Sequence, residues 1–152
     1  MRRIFLASAL VFWTMTVAAQ QIALGERVPE LRVASWLNGR MPVQGRPTLF
    51  VFFHTSSRPS VESLARLEAL DRTFGERVNV VLIVREDAET IAETVGPLTG
   101  GGLTVAFDDN GRSFASYGVQ YVPYGVLVSP KGRALWQGNP RRLTDGILES
   151  NL

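Results

Sequence analysis

The side chains most capable of chemistry lie in one short stretch, FFHTSSRPSVESL, at positions 52–64. It contains His54, the only histidine of the chain, and the hydroxyls of Ser56, Ser57 and Ser60. A serine becomes a nucleophile when a neighbouring base takes its proton, and His54 precedes Ser57 by three residues. No acidic residue nearby in the sequence is placed to orient the imidazole, and no oxyanion hole is indicated. We therefore interpret His54 as a structural or surface histidine and predict no catalytic residue.

The sequence also lacks the residues of a metal or cofactor site. Zinc and related metals are held by sets of histidine and cysteine, and one histidine with no cysteine leaves only scattered carboxylates. The run Gly100-Gly101-Gly102 lacks the lysine of a phosphate loop and precedes a predicted strand, whereas a phosphate loop follows one. We predict neither a metal nor a cofactor.

The first nineteen residues have the pattern of an export signal. A basic start at 1–3 is followed by an apolar stretch at 4–17 and a small-residue end at 17–19, as in a secretory leader. The stretch is shorter than the roughly 20 residues that span a membrane. We predict a signal peptide at 1–19 and one domain at 20–152, periplasmic or extracellular, without a stable membrane span after cleavage. The alternative is an uncleaved anchor.

The charge balance argues against a nucleic-acid partner. The whole chain has 16 basic and 14 acidic residues, and loss of Arg2 and Arg3 with the leader leaves 14 of each. A nearly neutral domain lacks the basic face that nucleic acids require. Because an exported chain without cysteine has no disulfide framework, its hydrophobic core alone must hold the fold.

Apolar runs alternate with amphipathic segments along the rest of the chain. Strands are predicted at 31–36, 48–53, 78–84, 103–107, 123–128 and 133–137. Helices are predicted at 60–74, 87–95, 112–117 and 143–152, the last capped by Thr144. Asn38-Gly39 is a hairpin turn signal, Glu62 and Arg66 have the spacing of a helical ion pair, and 20–29 is predicted to be a flexible lead-in. The order predicts an α/β three-layer sandwich around a mixed central sheet.

Four local signatures in this order resemble the thioredoxin fold, and in particular the exported TlpA/ResA-like thioredoxins. Residues 52–60 match the family's aromatic strand end and dithiol motif, and 108–111 match its D-x-x-G turn. Residues 117–123 match a Y-G-V-x-x-x-P segment that ends in a cis proline, and 127–138 match the final hairpin. The resemblance covers about 25–151 and implies a thioredoxin-like fold linked to cell redox homeostasis.

The chain departs from that family where the chemistry would occur. Ser57 and Ser60 stand where the family has its two cysteines. Thiol–disulfide exchange needs a thiolate, and a serine hydroxyl stays protonated and forms no disulfide. With no cysteine elsewhere, dithiol exchange is excluded for this sequence, and so is the chemistry of a peroxiredoxin.

The resemblance implies that a peptide-binding groove can persist without thiols. In the thioredoxin fold, the residue before the cis proline offers its backbone to an extended peptide by strand addition; here this residue is Val122. The helix start would form the facing wall. The predicted groove comprises Phe53, Ser56, Ser57, Arg58, Pro59, Ser60, Tyr121, Val122, Pro123 and Tyr124.

The sequence therefore supports a redox-inactive thioredoxin-like module that binds an extended peptide or an envelope protein. One alternative is a TlpA/ResA-type thiol-disulfide oxidoreductase whose positions 57 and 60 were mutated to serine. Another is a scaffold or assembly subunit that uses a different surface.

Overall fold

A computed structural model describes residues 21–99 and 101–152 of the chain. The predicted leader at 1–19 lies outside the described residues. The strands are β1 (Ser35–Trp36), β2 (Thr48–Phe52), β3 (Asn79–Val84), β4 (Leu103–Phe107), β5 (Tyr124–Val128) and β6 (Ala134–Gly138). The helices are α1 (Arg58–Phe74), α2 (Ala88–Val95), α3 (Arg112–Ser116) and α4 (Asp145–Glu149). Short 3-10 turns occur at Leu37–Gly39, Gly96–Leu98 and Pro140–Arg142.

The six strands form one mixed sheet in the order β1-β4-β3-β2-β5-β6. Strands β2, β3 and β4 are parallel, whereas β5, β6 and β1 join antiparallel. Every residue of β3, β4 and β5 is buried, because helices or loops cover both faces of the sheet. One buried cluster includes side chains of α1, α2 and α4, and the other includes Tyr117 and the segment before β1. The predicted α/β three-layer sandwich around a mixed sheet is confirmed.

Helix α1 positions the candidate site, and its sequence explains both its start and its packing. Ser57 is the N-cap residue, and its side chain accepts a hydrogen bond from the Ser60 N–H. Leu64, Leu67 and Leu70 recur at helical spacing and are buried against the sheet. Full burial of each leucine stabilises the fold by about 1.5–3 kcal/mol. The first turn of the helix is thereby held rigidly at the end of β2.

The predicted ion pair between Glu62 and Arg66 does not form. Arg66 donates to the Leu143 carbonyl at 2.6 Å and to Asp145 at 2.7 Å, because the chain before α4 passes beside it. Glu62 instead pairs with Arg58 at 2.7 Å and with Arg141 at 3.0 Å. These contacts tie the exposed face of α1 to the end of the chain.

The first predicted strand and its hairpin are wrong. Only Ser35–Trp36 is a strand, and it pairs with β4 rather than with β2. The backbone of Arg32 is held by the Ser113 side chain, which accepts from its N–H at 2.8 Å and donates to its carbonyl at 2.9 Å. The Arg32 N–H and carbonyl therefore bond a side chain instead of a neighbouring strand. Asn38 and Gly39 do have positive φ angles of 55° and 66°, but within a 3-10 turn.

The segment at 21–29, predicted to be a flexible lead-in, is ordered against the outer edge of β6. The Gly25 N–H donates to the Ala134 carbonyl at 2.8 Å, and the Ala134 N–H donates to the Glu26 carbonyl at 2.9 Å. The Val28 N–H adds a bond to the Gly132 carbonyl at 2.9 Å. Covering an exposed strand edge removes a site of unwanted pairing.

The last helix has the predicted cap but is shorter than predicted. Thr144 accepts from the Ile147 N–H at 3.2 Å, as expected of an N-cap residue. The side chains of Ser150 and Asn151 both donate to the Ile147 carbonyl, at 2.9 and 2.8 Å. Side chains that bond the local backbone compete with further helical turns, so α4 ends at Glu149.

Candidate functional site

The site is built on the corner between β2 and α1. The Ser57 N–H donates to the His54 carbonyl at 3.1 Å, which closes a tight turn at the strand end. The Ser57 hydroxyl then accepts from the Ser60 N–H at 3.3 Å. Serine is favoured as an N-cap because its oxygen satisfies a helix N–H that has no partner within the helix.

The loop before β5 lies against this corner. The Val122–Pro123 peptide bond is cis, and Pro123 is buried. The Ser57 hydroxyl donates to the Val122 carbonyl at 3.3 Å. The two segments that the sequence predicts to face each other therefore do so, and one side chain links them.

Ser60 is fully buried, and its hydroxyl has no hydrogen-bond partner among the described residues. Ser63, also fully buried, donates to the Ser60 carbonyl at 2.6 Å. An unsatisfied buried hydroxyl costs about 1–3 kcal/mol, so the second motif position suits a less polar side chain than serine.

Four of the predicted groove residues are buried, Pro123 among them. Phe53 and Ser60 are fully buried and Tyr124 is 8% exposed. Phe53 follows a central strand that is covered on both faces, so its ring joins the core. The Tyr124 ring packs against Phe52 at 6.2 Å, and its hydroxyl donates to Gln137 at 2.6 Å. Of the predicted groove residues, Phe53 therefore offers no surface to a peptide, and Tyr124 offers only a small part of its ring.

The accessible part of the predicted groove is smaller. Tyr121 is 55% exposed, and Val122 is half-buried beside it. Ser56, Arg58 and Pro59 are exposed on the opposite side. The Arg58 guanidinium is already paired with Glu62.

Burial raises the pKa of the Tyr124 phenol above its ordinary value of 10.0, and the neighbouring Tyr121 phenol raises it further. Tyr124 therefore stays protonated at neutral pH and keeps donating to Gln137.

His54 contacts Ser56 rather than Ser57. The Ser56 hydroxyl lies 2.8 Å from His54 Nδ1, and the Ser56 N–H donates to the same nitrogen at 3.1 Å. The Glu86 carboxylate also lies on the Nδ1 side, at 3.6 Å. In a serine–histidine–acid triad the serine and the acid contact opposite ring nitrogens, so this arrangement is no proton relay. The geometry supports the interpretation of His54 as a structural or surface histidine, and the residue is exposed.

Glu86 is a site residue that the sequence reasoning missed. Its carboxylate is 10% exposed, accepts from the Thr55 N–H at 2.9 Å, and also bonds the Thr55 hydroxyl. It fastens the corner to the end of β3. The sequence could have indicated this role, because Glu86 lies two residues beyond β3. The carboxyl ends of adjacent parallel strands meet at one edge of the sheet.

Gly101 and Gly102, near the far end of α1, have a structural role. The Gly102 N–H donates to Asp71 at 2.9 Å. Arg40 donates to the Gly101 carbonyl at 2.6 Å and also bonds the Thr99 carbonyl. Across residues 21–99 and 101–152, no three histidine or acidic side chains lie together in a way that could hold a metal ion.

Two clefts open beside the corner. One, of ≈ 580 Å³, lies at the ends of β3 and β4 and is lined in part by Trp36, Arg85 and Glu86. The other, of ≈ 250 Å³, lies between the loop before β5 and the end of β6, and Tyr121 and Tyr124 line it.

No helix in the described part of the chain is long and apolar enough to cross a bilayer.

Known structures with the same arrangement of elements are thioredoxin-like proteins. The solution structure of an oxidised thioredoxin-like protein matches with a TM-score of 0.72 at 19% identity, over 86% of this chain and 100% of its own. A thiol-disulfide oxidoreductase from Bacteroides fragilis matches with a TM-score of 0.66 at 18% identity, over 84% and 100%. A secreted disulfide oxidoreductase from Mycobacterium tuberculosis matches with a TM-score of 0.60 at 20% identity, over 79% and 91%. No protein-family model and no curated protein sequence matches the chain.

These comparisons identify the fold. The chain has a thioredoxin-like fold, as the order of its motifs predicts, and similar solved structures include thiol-disulfide oxidoreductases. At identities of 20% or below the likeness reaches no further than the fold. Thiol–disulfide exchange requires a thiolate, and this sequence contains no cysteine.

Proposed function

We propose that this chain is an exported, redox-inactive thioredoxin-like module that binds an extended peptide through the backbone of Val122. The observation that carries the proposal is that, in the described part of the chain, the backbone N–H and carbonyl of Val122 form almost no hydrogen bonds. Within the described residues the Val122 N–H has no hydrogen-bond partner, and its carbonyl receives only the 3.3 Å bond from Ser57. When a residue just before a strand has unpaired backbone groups, an extended peptide can pair with them as an added strand.

Export is supported by the leader pattern at 1–19. A leader cut after residue 19 would release the domain to the periplasm or the cell exterior. The secreted character of the M. tuberculosis oxidoreductase accords with this location.

The absence of thiols restricts the module to binding. A serine in place of either cysteine cannot form the mixed disulfide through which exchange proceeds. The fold still presents the peptide-facing loop and the helix start, because the contact between Ser57 and Val122 does not depend on sulfur.

The alternative, a TlpA/ResA-type oxidoreductase with both cysteines replaced, is favoured by one observation. The buried Ser60 hydroxyl has no partner, whereas a thiol behaves as a small hydrophobe in such a place. The codons at positions 57 and 60 in the genomic DNA decide between the two. Serine codons support the binding module, and cysteine codons establish the oxidoreductase.

Calorimetric titration with a designed peptide tests the binding proposal. The probe is the capped heptapeptide Ac-Gly-Ser-Ala-Phe-Ala-Ser-Gly-NH2, and its matched variant carries N-methyl groups on the two alanines, one of which is expected to pair with Val122. Loss of one backbone hydrogen bond, which contributes about 0.5–1.5 kcal/mol, should weaken binding about two- to tenfold. A peptide methylated at its terminal glycine is the control and should bind like the parent. Equal affinity of all three peptides would contradict backbone pairing.

A further inference from the structure

The smaller cleft beside Val122 is uncharged. It measures ≈ 250 Å³ and is lined by two tyrosines, three glutamines and two glycines. Its position next to the proposed peptide-binding backbone makes it a candidate for a side chain of the bound peptide.

The wall of this cleft is aromatic. Tyr121 is 55% exposed, and its ring stands at 77° to the ring of Tyr124 with the centroids 5.5 Å apart. The buried Tyr124 thus holds Tyr121 in an edge-to-face pair. A third ring could pack on the open side of Tyr121 by the same geometry, which aromatic pairs prefer.

Two polar side chains of the cleft, those of Tyr124 and Gln137, are already hydrogen-bonded. Gln137 accepts from the Tyr124 hydroxyl at 2.6 Å and donates to the Ile22 carbonyl at 2.6 Å. With no charged residue in the lining, a charged guest would lose its hydration without a counter-charge.

The size of the cleft points to one side chain. Pockets for drug-sized ligands measure about 300–1,000 Å³, and this cleft is smaller. Gly118 and Gly138 line it and have φ angles of 62° and 145°, which residues with a side chain rarely adopt. The two glycines therefore add no side chain to the lining of the cleft.

We propose that this cleft takes one aromatic side chain of the bound peptide, from a residue adjacent to the one paired with Val122. The inference rests on the proposed function, because the backbone pairing brings the peptide to the cleft. It adds a specificity for an aromatic anchor, which backbone pairing alone would not provide.

The test is a titration series of Ac-Gly-Ser-Ala-X-Ala-Ser-Gly-NH2 in which X is Phe, Trp, cyclohexylalanine, Lys or Glu. We expect the Phe and Trp peptides to bind about tenfold more tightly than the Lys and Glu peptides, with cyclohexylalanine between them. The Tyr121→Ala variant should lose this preference, whereas Tyr121→Phe should keep it. A urea unfolding curve for each variant verifies that it is folded.

The outcomes separate this inference from the proposed function. If all five peptides bind with similar affinity, the aromatic cleft is refuted while backbone pairing stands. A preference for Lys or Glu, or an aromatic preference that survives in Tyr121→Ala, also overturns the inference. If no peptide binds, the proposed function itself fails, and this inference fails with it.

Discussion

The Ser57 hydroxyl donates to the Val122 carbonyl at 3.3 Å, across 65 positions of sequence. The same oxygen caps helix α1 by accepting from the Ser60 N–H. One serine therefore stabilises the helix start and fixes the loop whose backbone is proposed to bind a peptide. This double role explains how the corner keeps its shape without a disulfide.

Two neighbouring serines of α1 should respond oppositely to loss of their hydroxyls. Ser60→Ala removes a buried group without a partner, so we expect the free energy of unfolding to rise by about 1 kcal/mol. Ser63→Ala removes a hydroxyl that donates at 2.6 Å and should lower it by a similar amount. The small helix-propensity gain of alanine is common to both variants and cancels in their difference. Urea unfolding measures the difference, and equal stabilities would contradict the assignment of Ser60 as unsatisfied.

The corner should accept thiol chemistry if thiols are supplied. We expect the unmodified chain to give no reduction of insulin disulfides above a blank without protein. The double variant Ser57→Cys with Ser60→Cys should gain measurable turnover, since a helix N-terminus lowers a thiol pKa. Ser60→Cys alone should stay inactive because that position is fully buried. Turnover by the unmodified chain would show that it has a chemistry without cysteine.

Protonation of the carboxylate that caps helix α2 should lower the free energy of unfolding at acid pH. The Asp87 carboxylate accepts from the Thr90 N–H at 2.9 Å and from the Thr90 hydroxyl at 3.0 Å. These bonds, the backbone one first, lower the pKa of Asp87 below its ordinary value of 3.8. The unfolded state then binds the proton more readily than the folded state. The stabilisation by ionised Asp87 is therefore present above pH 3.8 and is lost as the pH falls through the pKa of Asp87 in the folded protein.

The Asp87→Asn variant isolates this contribution. Its cap is neutral, so we expect its melting temperature to lie below that of the parent at pH 6 and to approach it towards pH 2. A gap between the two that stays constant over this range would contradict the assigned role of the carboxylate.

Much of the fold could be predicted from local patterns. The parallel strands β3 and β4 are apolar on both faces, which only a central, doubly covered position allows. The cap at Thr144 follows from side-chain chemistry at the start of the last helix. The resemblance then supplied the pairing of the helix start with the loop at Val122, which no local pattern contains.

The errors arose where a distant partner decides the outcome. The segment before β1 has strand-like alternation, but the Ser113 side chain binds the backbone of Arg32. The predicted groove includes Phe53 and Tyr124 because they adjoin the motif corner and the cis proline in the sequence, yet the packing of both sheet faces buries them. Glu86 was overlooked because its contact with Thr55 spans 31 positions.

The most direct test of the central claim is the solvent exchange rate of the Val122 amide, measured by NMR with and without saturating heptapeptide. In the free protein this N–H has no partner in the described structure, so it should exchange rapidly. If the peptide adds as a strand at Val122, the exchange should slow markedly, while the amide of exposed Lys131, in the turn between β5 and β6, should change little. Rapid exchange at Val122 in the fully bound protein would show that the peptide lies elsewhere and would contradict the account.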